Sequence, residues 1–176
     1  MVEVRRSTAA DVHAIRAARM PRVHHHLEGF AAQERGWCDY LLAFDDAGRP
    51  VGHVVVRNHS KYEPVIGRLG SFPEVNGLAA YPTGRGTGTA LLEAAENVAR
   101  ARGALHVGLA VERSNHDARR LYEARRYVEW PYGDVVDDWD EVADDGTVLA
   151  HHRDVCAYLV RDLHERFGAR RHPGVT

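Results

Sequence analysis

The sequence predicts one α/β domain, 176 residues long, with helices layered on a sheet. Three observations carry that prediction. Runs of strand-forming, β-branched residues alternate along the chain with Ala-, Leu- and Glu-rich runs of helical period. A glycine cluster, "TGRGTG" at 83–88, lies between one strand pattern and the longest helical one. No internal repeat or Pro/Gly/Ser-rich linker divides the chain, so residues 1–165 are expected to form the domain and 166–176 a mobile tail.

Taken in order, "VEVRRS" alternates as a first strand, and Ser7 or Thr8 caps the helix "AADVHAIRAARM", which Pro21 ends or bends. "HHHLEGFAAQERG" forms a second, shorter helix that closes at Gly36. "DYLLAFDDAGRPVGHVVVRN" reads as a hairpin turning at Asp46-Ala47-Gly48. Residues Ser60–Phe72, with Pro64, Gly67 and Gly70, read as a loop, followed by the strand "EVNGLAAY". The glycine turn then opens a helix over Thr89–Arg102, stopped by Gly103. "ALHVGLAVE" is a strand, "SNHDARRLYEARR" a helix and "YVEW" a strand. The acidic stretch Asp134–Asp145 reads as a solvated loop before the final strand, "VCAYLV".

A formal charge of −2 offers no basic face for nucleic acid. Lys61 is the single lysine; so strong an arginine bias fits a GC-rich bacterial genome, although surface preference gives the same result. There is no signal-peptide layout and no apolar run of about 18 residues, so a cytoplasmic protein without a membrane segment is expected. Cys38 and Cys156 fit no metal spacing and read as buried or idle thiols.

A strand that runs through a glycine turn into a helix presents unpaired backbone N–H groups at the helix start. Gly84, Gly86 and Gly88 let a ligand approach that backbone closely, and the helix terminus adds roughly +0.5 of an elementary charge. A phosphate or pyrophosphate is the ligand such a place favours. A Walker loop would need a lysine that is missing, and a dinucleotide fingerprint would need a third glycine where Thr89 stands.

The segment Thr83-Gly84-Arg85-Gly86-Thr87-Gly88 resembles the [Q/R]-x-x-G-x-[G/A] motif of the GCN5-related N-acetyltransferases, with Thr83 in place of the usual Gln or Arg. A second segment agrees. "SNHDARRLYEARRYVE" is similar to the family's N-x-x-A-x-x-L-Y-x-x-x-G-[F/Y] at Asn115, Ala118, Leu121, Tyr122 and Tyr127, with Arg126 in place of Gly. The resemblance covers roughly residues 1–163. It implies a mixed, mostly antiparallel sheet of about seven strands, splayed between the fourth and fifth, where acetyl-CoA inserts.

The resemblance also implies roles. Thr83, Gly84, Arg85, Gly86, Thr87, Gly88 and Thr89 would hold the pyrophosphate of acetyl-CoA, and Leu78, Ala79 and Ala80 its pantetheine, with the Leu78 N–H polarising the thioester carbonyl. Asn115 would bond the pantetheine arm, cap its own helix, or do both. Tyr122 would be the general acid that protonates the departing thiolate. Glu74, four residues before Leu78, matches a position where many members keep a base; His53, His106 or water are the alternatives.

On the acceptor side, His24–His26 do not converge on a metal, because consecutive helical side chains point about 100° apart. A solvated turn, or a wall of the acceptor pocket, is the expectation for them. The seven carboxylates between Asp134 and Asp145, with Trp130, Tyr132 and Trp139 nearby, favour a small cationic amine if that loop borders the cleft. Acetylation of a protein N-terminus or lysine, and a non-catalytic acyl-CoA-binding module, remain competing readings. No metal is expected, and a homodimer is what the family would suggest.

Overall fold

The computed structural model describes residues 2–18 and 23–164. The expected tail at 166–176 and the bend at Pro21 lie outside those residues. Thirteen elements follow in chain order: β1 Glu3–Arg6, α1 Ala9–Ala17, α2 Val23–Glu34, β2 Cys38–Phe44, β3 Pro50–Arg57, α3 Glu63–Leu69, β4 Glu74–Ala80, α4 Thr87–Ala101, β5 His106–Glu112, α5 His116–Ala124, β6 Val128–Glu129, β7 Val135–Val142 and β8 Val148–Asp162.

The strands form one sheet in the order β1-β2-β3-β4-β5-β8-β6, with β7 paired to β8 beside this path. The path has the seven strands expected, and β7 makes an eighth. Every pairing is antiparallel except β4 with β5. That parallel pairing covers only Glu74↔Gly108 and Val75↔Leu109, after which the strands separate. This is the expected splay.

Alternation along the strands sorts the core onto two faces. Leu41 and Ala43 of β2, Val54 and Val56 of β3, Leu109 of β5 and Leu159 of β8 face α4, whose Leu91, Leu92, Ala95 and Ala99 are buried against them. Residues one position away face the other side. There Tyr40, Leu42 and Phe44 pack with Ile15 of α1, and Cys156 and Tyr158 pack with Tyr62 and Val65 around α3.

Three expectations are corrected here. The Ser60–Phe72 loop contains a helix, α3: Pro64 occupies its first turn, where a missing N–H costs nothing, and the buried Val65 anchors it. The acidic stretch is a strand, β7, paired along its length with an extended β8. Across the ribbon Asp138 pairs with Arg153 at 3.2 Å and Asp140 hydrogen-bonds His151 at 2.5 Å, while Asp137, opposite Asp154, pairs with Lys61. The glycine-led helix also starts earlier than expected, at Thr87.

Candidate active site

A cavity of about 1150 Å³ opens at the splay and passes between β4 and β5. It exceeds the usual range for one drug-sized ligand, and so has room for two substrates at once.

One end is built by the turn into α4. Gly84 and Gly86 adopt φ of 78° and 81°, a left-handed region that L side chains resist, so glycine is required for the turn. The first helical bond runs from the Ala90 N–H to the Gly86 carbonyl at 3.0 Å. The N–H groups of residues 87–89 therefore have no acceptor within the helix. Thr83, Gly84, Gly86, Gly88 and Thr89 line the cavity, as do Leu78, Ala79 and Ala80. Two residues of the expected set do not. Arg85 is exposed outside the lining, and Thr87 is buried, 4% exposed, against β3 below Gly52. Their backbone stays within the turn, but their side chains do not face the cavity.

The middle of the cavity lies at a bulge in β4. In the pairing with β3, His53 opposes Ala79 and Val55 opposes Asn76, so Gly77 and Leu78 fall outside that ladder. They are also beyond the last β5 pair. Gly77 takes φ 58°, and this turn places Leu78 on the α4 side while Asn76 stays on the other. Backbone groups that would normally cross-link strands thus face the cavity.

Tyr122 and Asn115 enter from α5. The Asn115 side chain accepts the Ala118 N–H at 3.1 Å, capping α5, and the same residue lines the cavity. The structure brings the cap and the lining role together on one residue. Tyr122 is 7% exposed, packs on Tyr127 at 5.8 Å, and faces the cavity. Burial pushes its hydroxyl up to about 12, so it keeps its proton at neutral pH.

Glu74 is placed differently from the cleft-side base that the resemblance implies. It is fully buried and does not line the cavity. Its carboxyl accepts the Ser60 hydroxyl at 2.5 Å and the Tyr158 hydroxyl at 3.0 Å, with the Lys61 N–H at 3.4 Å. Burial drives its pKa above the ordinary value, against the pull of these bonds. Between the ordinary value and the raised one, the native state holds a proton that the unfolded state has lost. Stability from this group therefore falls as pH rises through that window. Glu74→Gln should flatten the slope of unfolding free energy against pH there, as urea titrations at several pH values would show; an unchanged slope would remove Glu74 as its source.

The other expected bases are also displaced. His106 is exposed at the start of β5, outside the cavity, and His53 is buried beneath α2. The histidine run is not a solvated turn. It lies on α2, with His26 buried against Tyr40, and His24 and His25 facing the cavity.

The remaining wall comes from the ribbon of β7 and β8, through Asp137, Trp139, Asp140, Asp154 and Cys156. Trp139 stacks on His152 at 4.1 Å and donates to Asp154 at 2.6 Å. Of the three aromatics expected near the acceptor, only Trp139 reaches the cavity; Trp130 is buried in the core beneath α3 and Tyr132 lies outside. Among the described residues, the lining carries six carboxylates and one lysine, Lys61, which pairs with Asp137. Sequence reasoning missed Lys61 and Glu28, because each reaches the cavity only through the packing of a distant element, and it left His25 undivided between a solvated turn and a pocket wall. Among the described residues, no cluster suited to a metal ion occurs, and no helix is long and apolar enough to cross a membrane.

Comparisons with known proteins agree with this geometry. An N-acetyltransferase from Staphylococcus aureus superposes with a TM-score of 0.63 at 16% identity, covering 93% of this chain and 99% of its own. A phosphinothricin acetyltransferase from Sinorhizobium meliloti, solved with acetyl-CoA, gives 0.63 at 16%, covering 99% and 95%. A nourseothricin acetyltransferase gives 0.51 at 26%, covering 72% and 66%. No match is found among curated protein sequences. The family model for the Acetyltransferase (GNAT) family matches residues 9–126, more than half of the chain. With that match, a splayed sheet and a glycine-led α4, the chain belongs to the GNAT family and is an acetyl-CoA-dependent N-acetyltransferase.

Proposed function

We propose that the protein transfers an acetyl group from acetyl-CoA to the primary amine of a small cationic molecule, directly and within a ternary complex. One observation carries the acceptor class: the coenzyme end and the carboxylate-lined ribbon belong to a single cavity. Wall charges of one sign in a confined space concentrate a cation of the other. Trp139 adds an aromatic face for it.

The turn amides of residues 84–89 hold the pyrophosphate, and the β4 bulge holds the pantetheine, with the Leu78 N–H directed at the thioester carbonyl. The amine nitrogen attacks the carbonyl carbon, the C–N bond forms and the C–S bond breaks. Tyr122 gives its proton to the departing sulfur, and Asn115 steadies the arm from the α5 cap. Glu74, sealed behind Ser60 and Tyr158, could serve as the base of the sequence expectation only through those hydroxyls. No cysteine sits in either family motif, and although Cys156 faces the cavity, burial and the carboxylates around it push its thiol up to about 11, which suppresses the nucleophilic thiolate of an acyl-enzyme route.

The test is release of free thiol from acetyl-CoA with a panel of amines at low and high salt. Polyamines and other multiply charged amines should turn over best, with KM rising as salt screens the ribbon. Preference for peptides would favour protein acetylation. Tight coenzyme binding without turnover of any amine would make the protein a binding module.

A further inference from the structure

We infer that His25 takes the proton of the incoming ammonium group, and that His53 and His26 hold its ring in position. The inference rests on the acetyl-transfer reading above. His25 lies on α2 and lines the cavity. Its location within the cavity is fixed by β4: a Cβ built on Gly77 would lie 3.3 Å from His25 Nε2 and 3.4 Å from Cε1. The Nε2 edge of the imidazole is therefore buried against the bulge residue next to Leu78, while the residue as a whole lines the cavity. That is the point at which the thioester carbonyl would meet the strand.

The ring is held from behind by other aromatic groups. Its centroid is 5.1 Å from that of His53 on β3 and 6.1 Å from that of His26 on its own helix. His53 and His26 meet edge to face at 4.6 Å, and His26 Nδ1 bonds the Tyr40 hydroxyl on β2. Tyr81, after β4, closes the cluster 6.1 Å from His53. The titratable groups around His25 are thus His24, His26 and Glu28 on α2, His53 on β3, Tyr40 on β2 and Tyr81, and a second, smaller cavity that His25 also lines adds Arg35, Cys38 and Arg57 with His59. Across the cavity stand Lys61, Asp137, Asp140 and Asp154. A ring packed this closely loses little freedom when a substrate binds, which suits a group that must meet a proton at a fixed point.

The chemistry separates His25 from its rivals. An amine attacks only when neutral, and an imidazole, with an ordinary pKa near 6.5, accepts a proton from an ammonium far more readily than a carboxylate near 4. Glu74 is also shut away from the cavity, while Tyr122 holds the proton that the sulfur needs. His25 and Tyr122 approach from opposite faces of the sheet, through the gap between β4 and β5. The protons balance as follows. The ammonium gives one to His25 and becomes neutral; the nitrogen attacks, and the thiolate takes one from Tyr122. The second nitrogen proton, lost as the amide forms, restores Tyr122 through cavity water, and His25 returns its own to solvent. The sum is ammonium and acetyl-CoA to acetamide, CoA thiol and one proton.

The test is kcat/KM against pH, by thiol release from the full chain with the best amine of the panel. Wild type should show a rising limb near the imidazole range, since His25 must be neutral to act. His25→Gln should be slower by about 10²-fold at neutral pH and should lose that limb, leaving only the rise set by the amine itself. His25→Ala should regain activity with added imidazole. Acetyl-CoA affinity and thermal midpoint report whether the variants are folded. Retention of the limb in folded His25→Gln overturns the inference; if that variant is too slow to titrate, failure of imidazole to rescue His25→Ala does so. Should wild type itself acetylate no amine, the acetyl-transfer reading fails instead.

Discussion

Tyr122→Phe should lower kcat by about 10²–10³-fold while leaving the acetyl-CoA dissociation constant nearly unchanged. The substitution removes one oxygen and keeps the ring, so packing against Tyr127 and the α4 core survives. In the proposed mechanism the missing hydroxyl is needed only as the C–S bond breaks, and so its loss is expected in kcat rather than in binding. Chemistry sets the ceiling. A thiol with a pKa near 8.5 is a tolerable leaving group even as thiolate, so the penalty stays below that of losing an acid opposite an alkoxide. Steady-state kinetics beside direct coenzyme binding separate the two quantities. Equal turnover in the variant would end the general-acid role.

A second large effect is expected in stability. Glu96 of α4 is fully buried and forms ion pairs with Arg161 of β8, itself 2% exposed, and with Arg125 at 2.5 Å. This links the long helix to the last strand and to the end of α5. Glu96→Ala deletes the anion but leaves the Arg161 guanidinium in the interior, and a broken buried pair costs about 3–5 kcal/mol. For a domain of this size each kcal/mol moves the midpoint by about 2–4 °C, so a fall on the order of 10 °C is expected. Replacing both members by apolar residues of similar volume should restore much of it, because the cost lies in the unmatched charge. Thermal and urea unfolding of the single and double variants measure this; a single variant within about 1 kcal/mol of wild type would contradict it.

What could be read from the sequence was what its local order encodes. The β4–glycine–α4 passage and the Asn115-capped α5 were legible because their residues act within a few positions of one another: the turn needs glycine where φ is positive, and the cap needs Asn three residues before Ala118. The ribbon was not legible. Carboxylates in β7 look like a solvated loop until Arg153, His151 and His152 on β8 are known to face them. Helix α3 was hidden by Pro64 and Gly67, since the burial of Val65 that stabilises it is a tertiary property. Long-range packing also decides where His25 and Glu74 stand. One gains its cavity position from a bulge on another strand, and the other is enclosed by Ser60 and Tyr158, 14 and 84 residues away.

The two ends of the cavity are made of different material. The end assigned above to the coenzyme is largely main chain: turn amides, a bulge and a capped helix start. Most substitutions leave such groups where they are. The acceptor end is largely side chain, carried on a ribbon whose outer half, from Val148 to Val155, pairs with β7 and not with β5. Donor recognition should therefore be resistant to mutation, and acceptor recognition free to drift. A library confined to β7 and the outer half of β8 should yield variants with new amine preferences that still fold and still take acetyl-CoA.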